Sequence, residues 1–428
     1  MPELNDITKL QAERSMSEAY ELDQALGAIN TADPQRFEDS TILPLFEYLR
    51  REDPVHYCEE SPYGPFWSIT RYDDIQKIDK DSRRFSSDAI HGGITIDDDV
   101  VGDPDGDFFI KSFITMDAPE HGAQRKAVNS IVKPDSLMSF ETLIRERAQT
   151  TLDSLPIGET FDWVSRVSIE LTTQMLATLF DFPFEERNRL TRWSDVTTAE
   201  ADSPLVESQA SRQQELLECL EYFRILREDR KEGPANLDLL TMLARDAATK
   251  NQSDSEFLGN LLLLIVGGND TTRNSMTGSV NAFHKYPDQL ALLKENPGLM
   301  GSAVSEIIRW QTPLSHMRRT AVEDCEIGGK TIRSGDKVVM WYYSGNRDIQ
   351  VFDDPNHLNI QRKNVRQHLS FGFGVHRCLG MRLAELQLKI LWEEILNRWS
   401  HIEVIEEPTR VYSNFVNGYS EMKVKIHA

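Results

Sequence analysis

The chain has 428 residues, of which 39% are hydrophobic and 27% charged, a balance typical of a folded globular protein rather than a disordered one. The formal net charge is −22, and a surface this acidic repels phosphate backbones, which argues against nucleic acid as a partner. The first thirty residues are charged throughout, and the longest dense apolar run spans only residues 261–266. A membrane helix needs roughly 20 apolar residues, so we expect a cytoplasmic protein without a membrane span.

The N-terminal third of the chain contains one extended irregular segment. The first forty residues are polar and predict a mobile lead-in, followed by a single large domain over residues 41–428. Short β-rich runs separated by Pro and Gly predict a hairpin within residues 55–75. Residues 86–114 combine many Asp and Gly with several apolar residues. A segment of this length is typically functional or disordered, and its apolar residues favour a lid or pocket wall.

From residue 120 onward, apolar residues recur mostly with the period of an α-helix. Helices are predicted over residues 136–155, 167–180, 207–226, 254–286, 298–310 and 380–399. Strand character returns in residues 325–341 and 401–427. The predicted fold class is mainly α with minor β.

Cys378 stands within the run FGFGVHRCLG, directly before a predicted helix. The glycines before Cys378 permit a tight loop, and a helix N-terminus after it supplies N–H groups that stabilise a thiolate. Such a thiolate suits the ligand of a haem iron. The other cysteines, Cys58, Cys219 and Cys325, are widely scattered, which indicates neither a disulfide framework nor a zinc site.

A second motif, GGNDTT, lies in the middle of the longest predicted helix and begins at Gly267 and Gly268. Two adjacent glycines in a helix cost about 1 kcal/mol each relative to alanine, so a close helix crossing or a function must offset them. The hydroxyl of Thr271 and the carboxylate of Asp270, given access to water, could relay the two protons that oxygen cleavage consumes.

Together these motifs resemble those of the cytochrome P-450 superfamily, the haem-thiolate monooxygenases. The resemblance implies one large helical domain with small β-sheets, and a haem b between an oxygen-binding helix and the cysteine loop. It implies catalytic roles for Asp270, Thr271 and Thr272 after a local helix kink that makes room for dioxygen. It further implies that Gly268 and Phe371 contact the haem.

Two further motifs are interpreted through the same resemblance. In MDAPEHGAQR, His121 and Arg125 fall on one helix face, and the resemblance implies that they bind the haem propionates together with Arg319 and His376. A doubly charged haem edge favours several cationic partners, and four would fit.

The pattern Glu306-x-x-Arg309 places both side chains on one helix face, where most such pairs are ordinary surface pairs. In the resembling family this pair is buried and structural. The third member of the family's triad is expected between residues 352 and 362, with Arg362 as the candidate.

The sequences around the two haem-contacting motifs are similar to the bacterial subfamily that hydroxylates terminal carbons of alkanes and fatty acids. The resemblance implies a small hydrophobic substrate, O2, and electrons from a [2Fe–2S] ferredoxin with its NAD(P)H-dependent reductase. Oxidation of sterol side chains or terpenoids is the alternative within the fold. A haem-binding sensor or electron carrier is the alternative from another class, although it would not need a proton relay.

Terminal attack requires that only the end of the chain reach the reacting centre, which a narrow apolar channel achieves through orientation. The candidate wall residues are Phe109, Phe113, Ile114, Leu264, Val266, Leu314, Met317, Phe415 and Val416. Each of them, judged singly, also suits an ordinary core position.

Basic residues cluster in the sequence around the cysteine loop despite the acidic total. They are Lys126, Arg362, Lys363, Arg366, Arg377, Arg382 and Lys389. A local positive patch would orient an acidic iron–sulfur partner, so we expect the ferredoxin to dock there.

Overall fold

The computed structural model describes residues 29–98, 109–199, 203, 205–234 and 236–427. The helices of this part are α1 (Pro34–Glu38), α2 (Ile42–Glu52), α3 (Tyr72–Lys80), α4 (Glu120–Val128), α5 (Pro134–Asp153), α6 (Glu170–Phe180), α7 (Asn188–Thr198), α8 (Gln209–Glu232), α9 (Leu239–Arg245), α10 (Asp254–Lys285), α11 (Pro287–Glu295), α12 (Met300–Gln311), α13 (Tyr342–Gly345) and α14 (Met381–Leu396). Within these ranges, no helix has the length and apolar character needed to cross a membrane.

The strands are short. They are β1 (Val55–Cys58), β2 (Phe66–Ile69), β3 (Phe85–Ser86), β4 (Thr160–Asp162), β5 (Met317–Ala321), β6 (Cys325–Ile327), β7 (Lys330–Ile332), β8 (Lys337–Met340), β9 (His401–Val404), β10 (Thr409–Arg410), β11 (Tyr419–Glu421) and β12 (Lys423–His427). The predicted class, mainly α with minor β, is confirmed.

The six predicted helices are all present, and their ends differ from the prediction for physical reasons. α8 continues to Glu232, past the predicted end at residue 226, because strong helix formers extend it after the apolar period stops. The helix predicted from residue 167 is preceded by a π-helical turn, Val164–Ile169, which packs against α10. α10 is the central helix, in contact with α6, α7, α12 and α14.

The largest sheet has the strand order β1-β2-β8-β5-β3. β1 and β2 form the predicted antiparallel hairpin, but the last residues of the 55–75 segment begin α3 instead. β8 pairs in parallel with β2 and antiparallel with β5. β5 thereby carries Arg319 from the sheet to the edge of the main cavity.

Packing begins before the domain boundary predicted at residue 40. Ala32 and Phe37 are buried in one apolar cluster with Phe46 and Trp341. These lead-in residues therefore belong to the same domain, whereas residues 1–28 lie outside the described part of the chain.

Candidate active site

A cavity of about 350 Å³ lies between the middle of α10 and the loop that carries Cys378. Gly267, Thr271 and Thr272 line it from α10, and Phe371 and Cys378 line it from the loop. Most of the remaining lining is aliphatic or aromatic. The two sequence motifs, more than a hundred residues apart, thus meet across one apolar space.

Seven of the nine predicted wall residues line this cavity: Phe113, Ile114, Leu264, Val266, Leu314, Met317 and Phe415. The assignments of Phe109 and Val416 were wrong. The backbone carbonyl of Phe109 accepts a hydrogen bond from Ser255 of α10, but its side chain is not part of the lining. Val416 is buried and pairs through its backbone with Leu314, while its neighbour Phe415 lines the cavity.

The irregular 86–114 segment contributes a pocket wall, as predicted for its described flanks. Ile94 and Ile96 line the cavity before residues 99–108, which lie outside the described part, and Ile110 and Phe113 line it afterwards. Sequence reasoning missed Met175 and Leu179 of α6, which also line it, because their apolar period is indistinguishable from that of a core helix.

The cysteine loop is tight, as its glycines predict. The Cys378 N–H donates to the Phe371 carbonyl (2.8 Å), and Gly372 and Gly374 have φ values of +64° and +68°, where other residues are strained. Backbone N–H groups at the start of α14 point to the sulfur and lower the pKa of the Cys378 thiol. Burial has the larger effect, so the net result is a raised pKa. A coordinated metal ion would deprotonate that thiol outright.

His121 and His376 stack with ring centroids 4.1 Å apart. Burial lowers the pKa of His376 to about 2, and burial also lowers the pKa of His121. Arg125 and Arg319 carry the positive charge, and both line the cavity.

The side chains around the cavity fit a haem. Both ring nitrogens of His376 and Nε2 of His121 are buried with no hydrogen-bond partner in the described part of the chain. Unpaired buried donors of this kind, beside Arg125 and Arg319, suit two carboxylates at the edge of a bound group. Cys378 supplies a thiol on the same cavity.

The two glycines of α10 have different surroundings. A Cβ on Gly268 would lie 2.8 Å from Cδ2 of Leu176 in α6, so this glycine permits a close helix crossing. A Cβ on Gly267 would meet no atom within 4 Å, and the Thr271 hydroxyl donates to the Gly267 carbonyl (2.8 Å). α10 is assigned as one continuous helix through both glycines.

Asp270 is 0% exposed and does not line the cavity. Its carboxylate pairs with Arg273 (2.9 Å) and accepts hydrogen bonds from the hydroxyls of Ser194 (3.1 Å) and Thr198 (3.0 Å) of α7. Asp270 therefore has no direct contact with the cavity. Thr198 does line the cavity, so one hydroxyl separates Asp270 from that space.

Glu306, Arg309 and Arg362 form a buried triad. Two Arg309 nitrogens donate to the Glu306 carboxylate at 2.8 Å, and Nε of Arg362 lies 3.2 Å from both carboxylate oxygens. Arg309 also donates to the Asn346 and Pro355 carbonyls, which ties α12 to the chain before the cysteine loop.

Because Arg362 is buried in this triad, its assignment to a surface docking patch was wrong. Lys389 is half-buried beside Glu393 (3.6 Å). The exposed cations of the predicted cluster are Lys126, Lys363, Arg366, Arg377 and Arg382.

A cytochrome P450 family profile matches residues 297–426. Linalool 8-monooxygenase of Pseudomonas putida is 36% identical over 396 residues, 91% of this chain and 97% of that protein. Steroid C26-monooxygenase of Mycolicibacterium smegmatis is 32% identical over 402 residues, 91% of this chain and 92% of that protein.

Solved structures match over nearly the whole chain. Cytochrome P450-153 from Novosphingobium aromaticivorans has a TM-score of 0.86 and 42% identity, covering 93% of this chain and 99% of that one. CYP153D17 from Sphingomonas has a TM-score of 0.88 and 43% identity, and the match covers 93% of this chain and 98% of that one. This chain belongs to the cytochrome P450 family. It is a monooxygenase whose cofactor is haem b, so the sensor and electron-carrier alternative is set aside.

Proposed function

We propose that this monooxygenase hydroxylates the terminal carbon of a linear medium-chain alkane or fatty acid. The observation that carries the proposal is the cavity itself, whose walls beyond the haem-contacting motifs are mainly aliphatic and aromatic. The resemblance of the sequences around the two haem-contacting motifs to bacterial terminal hydroxylases of alkanes and fatty acids supports the same substrate class.

The charges around the cavity favour a neutral chain over a carboxylate. Among the described lining residues, the cationic side chains are Arg125 and Arg319, both assigned to the haem propionates. His316 also lines the cavity, but burial lowers its pKa to about 4, so it is neutral. An alkane, or another chain without an anionic end, is therefore the first choice.

Haem b, held by the Cys378 thiolate and by Arg125, Arg319, His121 and His376, supplies the activation of O2 for insertion into a C–H bond. The chain's own residues orient the substrate, since the apolar walls exclude water and bind an alkyl chain by burying its surface.

Protons are moved by the hydroxyls of α7 and α10. We assign Thr271 Oγ1, which lines the cavity, as the group that donates a proton there, with Thr272 beside it. We assign Asp270 the orientation of the Thr198 hydroxyl, which lines the cavity and donates to the Asp270 carboxylate (3.0 Å). The role of Asp270 is thereby indirect.

Oxidation of a sterol side chain or a terpenoid is the second candidate. It is favoured by the relatives named linalool 8-monooxygenase and steroid C26-monooxygenase, each aligned over 91% of this chain.

Spectral titration of the haem-loaded protein tests the substrate class. Alkanes from octane to dodecane, their fatty acids, linalool and a sterol are added in turn, and the shift of the Soret band and the oxidised products are measured. We expect tight binding and terminal alcohols with the alkanes. Turnover of linalool or the sterol alone would contradict the proposal.

Two phenylalanines of one segment provide a matched pair of variants. Phe113→Ala enlarges the cavity and should shift the preference toward longer or bulkier chains, because Phe113 lines it. Phe109→Ala should leave the preference unchanged, since its side chain lies outside the lining.

A further inference from the structure

Asp79, near the end of α3, is a buried carboxylate with three donors from three parts of the chain. Its Oδ1 accepts from Arg319 Nη2 (2.7 Å), and its Oδ2 accepts from the Tyr342 hydroxyl (2.8 Å) and the Phe373 N–H (2.7 Å). Asp79 is 2% exposed and does not line the cavity. A carboxylate this deeply buried is stable only with such partners.

Each donor belongs to an element that meets the haem cavity. Arg319 and Tyr342 line the cavity, and Phe373 lies in the loop that carries Cys378. Burial and the adjacent carboxylate raise the pKa of Tyr342 well above its ordinary value, which keeps its hydroxyl protonated as a donor.

The cysteine loop also packs directly on Asp79. A Cβ on Gly372 would lie 3.2 Å from Asp79 Oδ2, and one on Gly374 would lie 2.5 Å from the Asp79 carbonyl. Contact with Asp79 thus requires glycine at position 374 and leaves little space at position 372, and both residues also have positive φ values. Asp79 therefore fixes both the position of the cysteine loop and the position of Arg319.

We propose that Asp79 is a positioning residue for the haem: it orients Arg319 at the haem edge, fixes the cysteine loop, and offsets the charge of Arg319. Its carboxylate places a negative charge close to the cofactor. That charge favours the oxidised iron, which is the more positive form. Removal of the charge favours reduction.

The variant Asp79→Asn tests this role in the haem-loaded protein, because asparagine has nearly the same shape without the charge. The thiolate signature of the reduced carbon monoxide complex should persist, while haem transfer to apomyoglobin becomes several-fold faster. The ferrous-to-ferric ratio at a fixed potential should rise on the order of tenfold, a positive shift of about 59 mV. Asp81→Asn is the control, since Asp81 follows the same helix but pairs with Arg84 (2.5 Å).

Tyr342→Phe is the second variant and keeps the charge of Asp79. It should accelerate haem transfer and leave the potential unchanged. If Asp79→Asn transfers haem at the same rate as the wild type and has the same reduction potential, the proposal is overturned, even if the variant is less thermally stable. If Asp79→Asn does not fold, unchanged haem transfer in Tyr342→Phe would overturn it instead.

Discussion

Cys378 differs from the other three cysteines in what surrounds its thiol. Cys378 lines the main cavity, whereas Cys58, Cys219 and Cys325 are buried elsewhere. Burial raises the pKa of Cys58 to about 11 and also raises that of Cys219, so these thiols are inert.

We therefore predict that Cys378→Ala abolishes the thiolate signature of the reduced carbon monoxide complex. Cys378→His should still bind haem, because imidazole is also an iron ligand, but without that signature and without oxygenase activity. Cys325→Ala is the control and should keep both the thiolate signature and the oxygenase activity. A signature that survives in Cys378→Ala but disappears in Cys325→Ala would show that the ligand was assigned wrongly.

Thr271 presents its hydroxyl at the cavity while donating to the Gly267 carbonyl. Thr271→Ala should leave haem reduction intact and divert electrons to hydrogen peroxide, because a proton donor is lost at the point of oxygen cleavage. The fraction of electrons recovered as product should fall several-fold. Thr271→Ser keeps a hydroxyl and should restore coupling. Equal coupling in Thr271→Ala and the wild type would remove this role from Thr271.

Asp270 should affect rate rather than coupling, because it reaches the cavity through another hydroxyl. Asp270→Asn removes the carboxylate that orients the Thr198 hydroxyl and should slow turnover ~10²-fold, with a changed solvent isotope effect. Asp195→Asn is the matched control: Asp195 pairs with the same Arg273 (2.9 Å), and its hydrogen bonds do not involve Thr198. A wild-type rate in Asp270→Asn would contradict the relay.

At the scale of elements, α10 fixes the wall of the cavity formed by residues 109–115. Asn260 Oδ1 accepts the Phe113 N–H (2.8 Å), and its amide donates to Gln124 of α4 (2.8 Å). Gly259 lies so close to this segment that an added Cβ would be 2.2 Å from the Lys111 carbonyl oxygen. The wall is therefore seated on α10 through backbone contact.

Gly259→Ala should push this wall away from α10. The added methyl meets backbone, which cannot rotate aside, so the free energy of unfolding should fall by about 1–3 kcal/mol. The ratio of terminal to internal hydroxylation should change as well. Gly301→Ala in α12 is the control: its Cβ meets no atom within 4 Å, and it should be stabilising by about 0.4–1 kcal/mol. A product ratio unaffected by Gly259→Ala would show that the wall position does not set regioselectivity.

The features that the sequence predicted correctly are local. The cysteine loop, the long helices and the pair Glu306–Arg309 each depend on residues a few positions apart, where glycine content, capping and periodicity carry the information. The rotation of a helix about its axis carries no such local signal. No local pattern therefore indicates that the Asp270 carboxylate binds Ser194 and Thr198 of α7 instead of lining the cavity.

Contacts between residues far apart in the sequence could not be predicted from local patterns either. Asp79 and Arg319 are 240 residues apart, and nothing near Asp79 indicates that its carboxylate is buried at the haem edge. Arg362 was predicted correctly as the partner of Glu306 but was also counted as a surface cation, because sequence alone does not report burial.

At the scale of the whole molecule, the net charge of −22 and the local basic residues act in opposition. The exposed cations near the cysteine loop include Arg366, Arg377 and Arg382. We expect the total charge to repel an acidic ferredoxin and these cations to attract it to the face that carries them. Such steering weakens with salt, because the Debye length falls from about 10 Å at 0.1 M to about 3 Å at 1 M.

Transfer of the first electron from a [2Fe–2S] ferredoxin should therefore slow as ionic strength rises, and Arg366→Glu should slow it further at low salt, by about tenfold. Lys231→Glu makes the same charge change on α8, which packs against α7, α9 and α10 rather than the cysteine loop. Lys231→Glu should have little effect on the rate of electron transfer, because it changes the total charge but leaves the charges around the cysteine loop unchanged. Stopped-flow reduction under carbon monoxide measures all three rates. If both variants slow electron transfer equally, the total charge controls the encounter, and the basic residues around the cysteine loop are not the docking site.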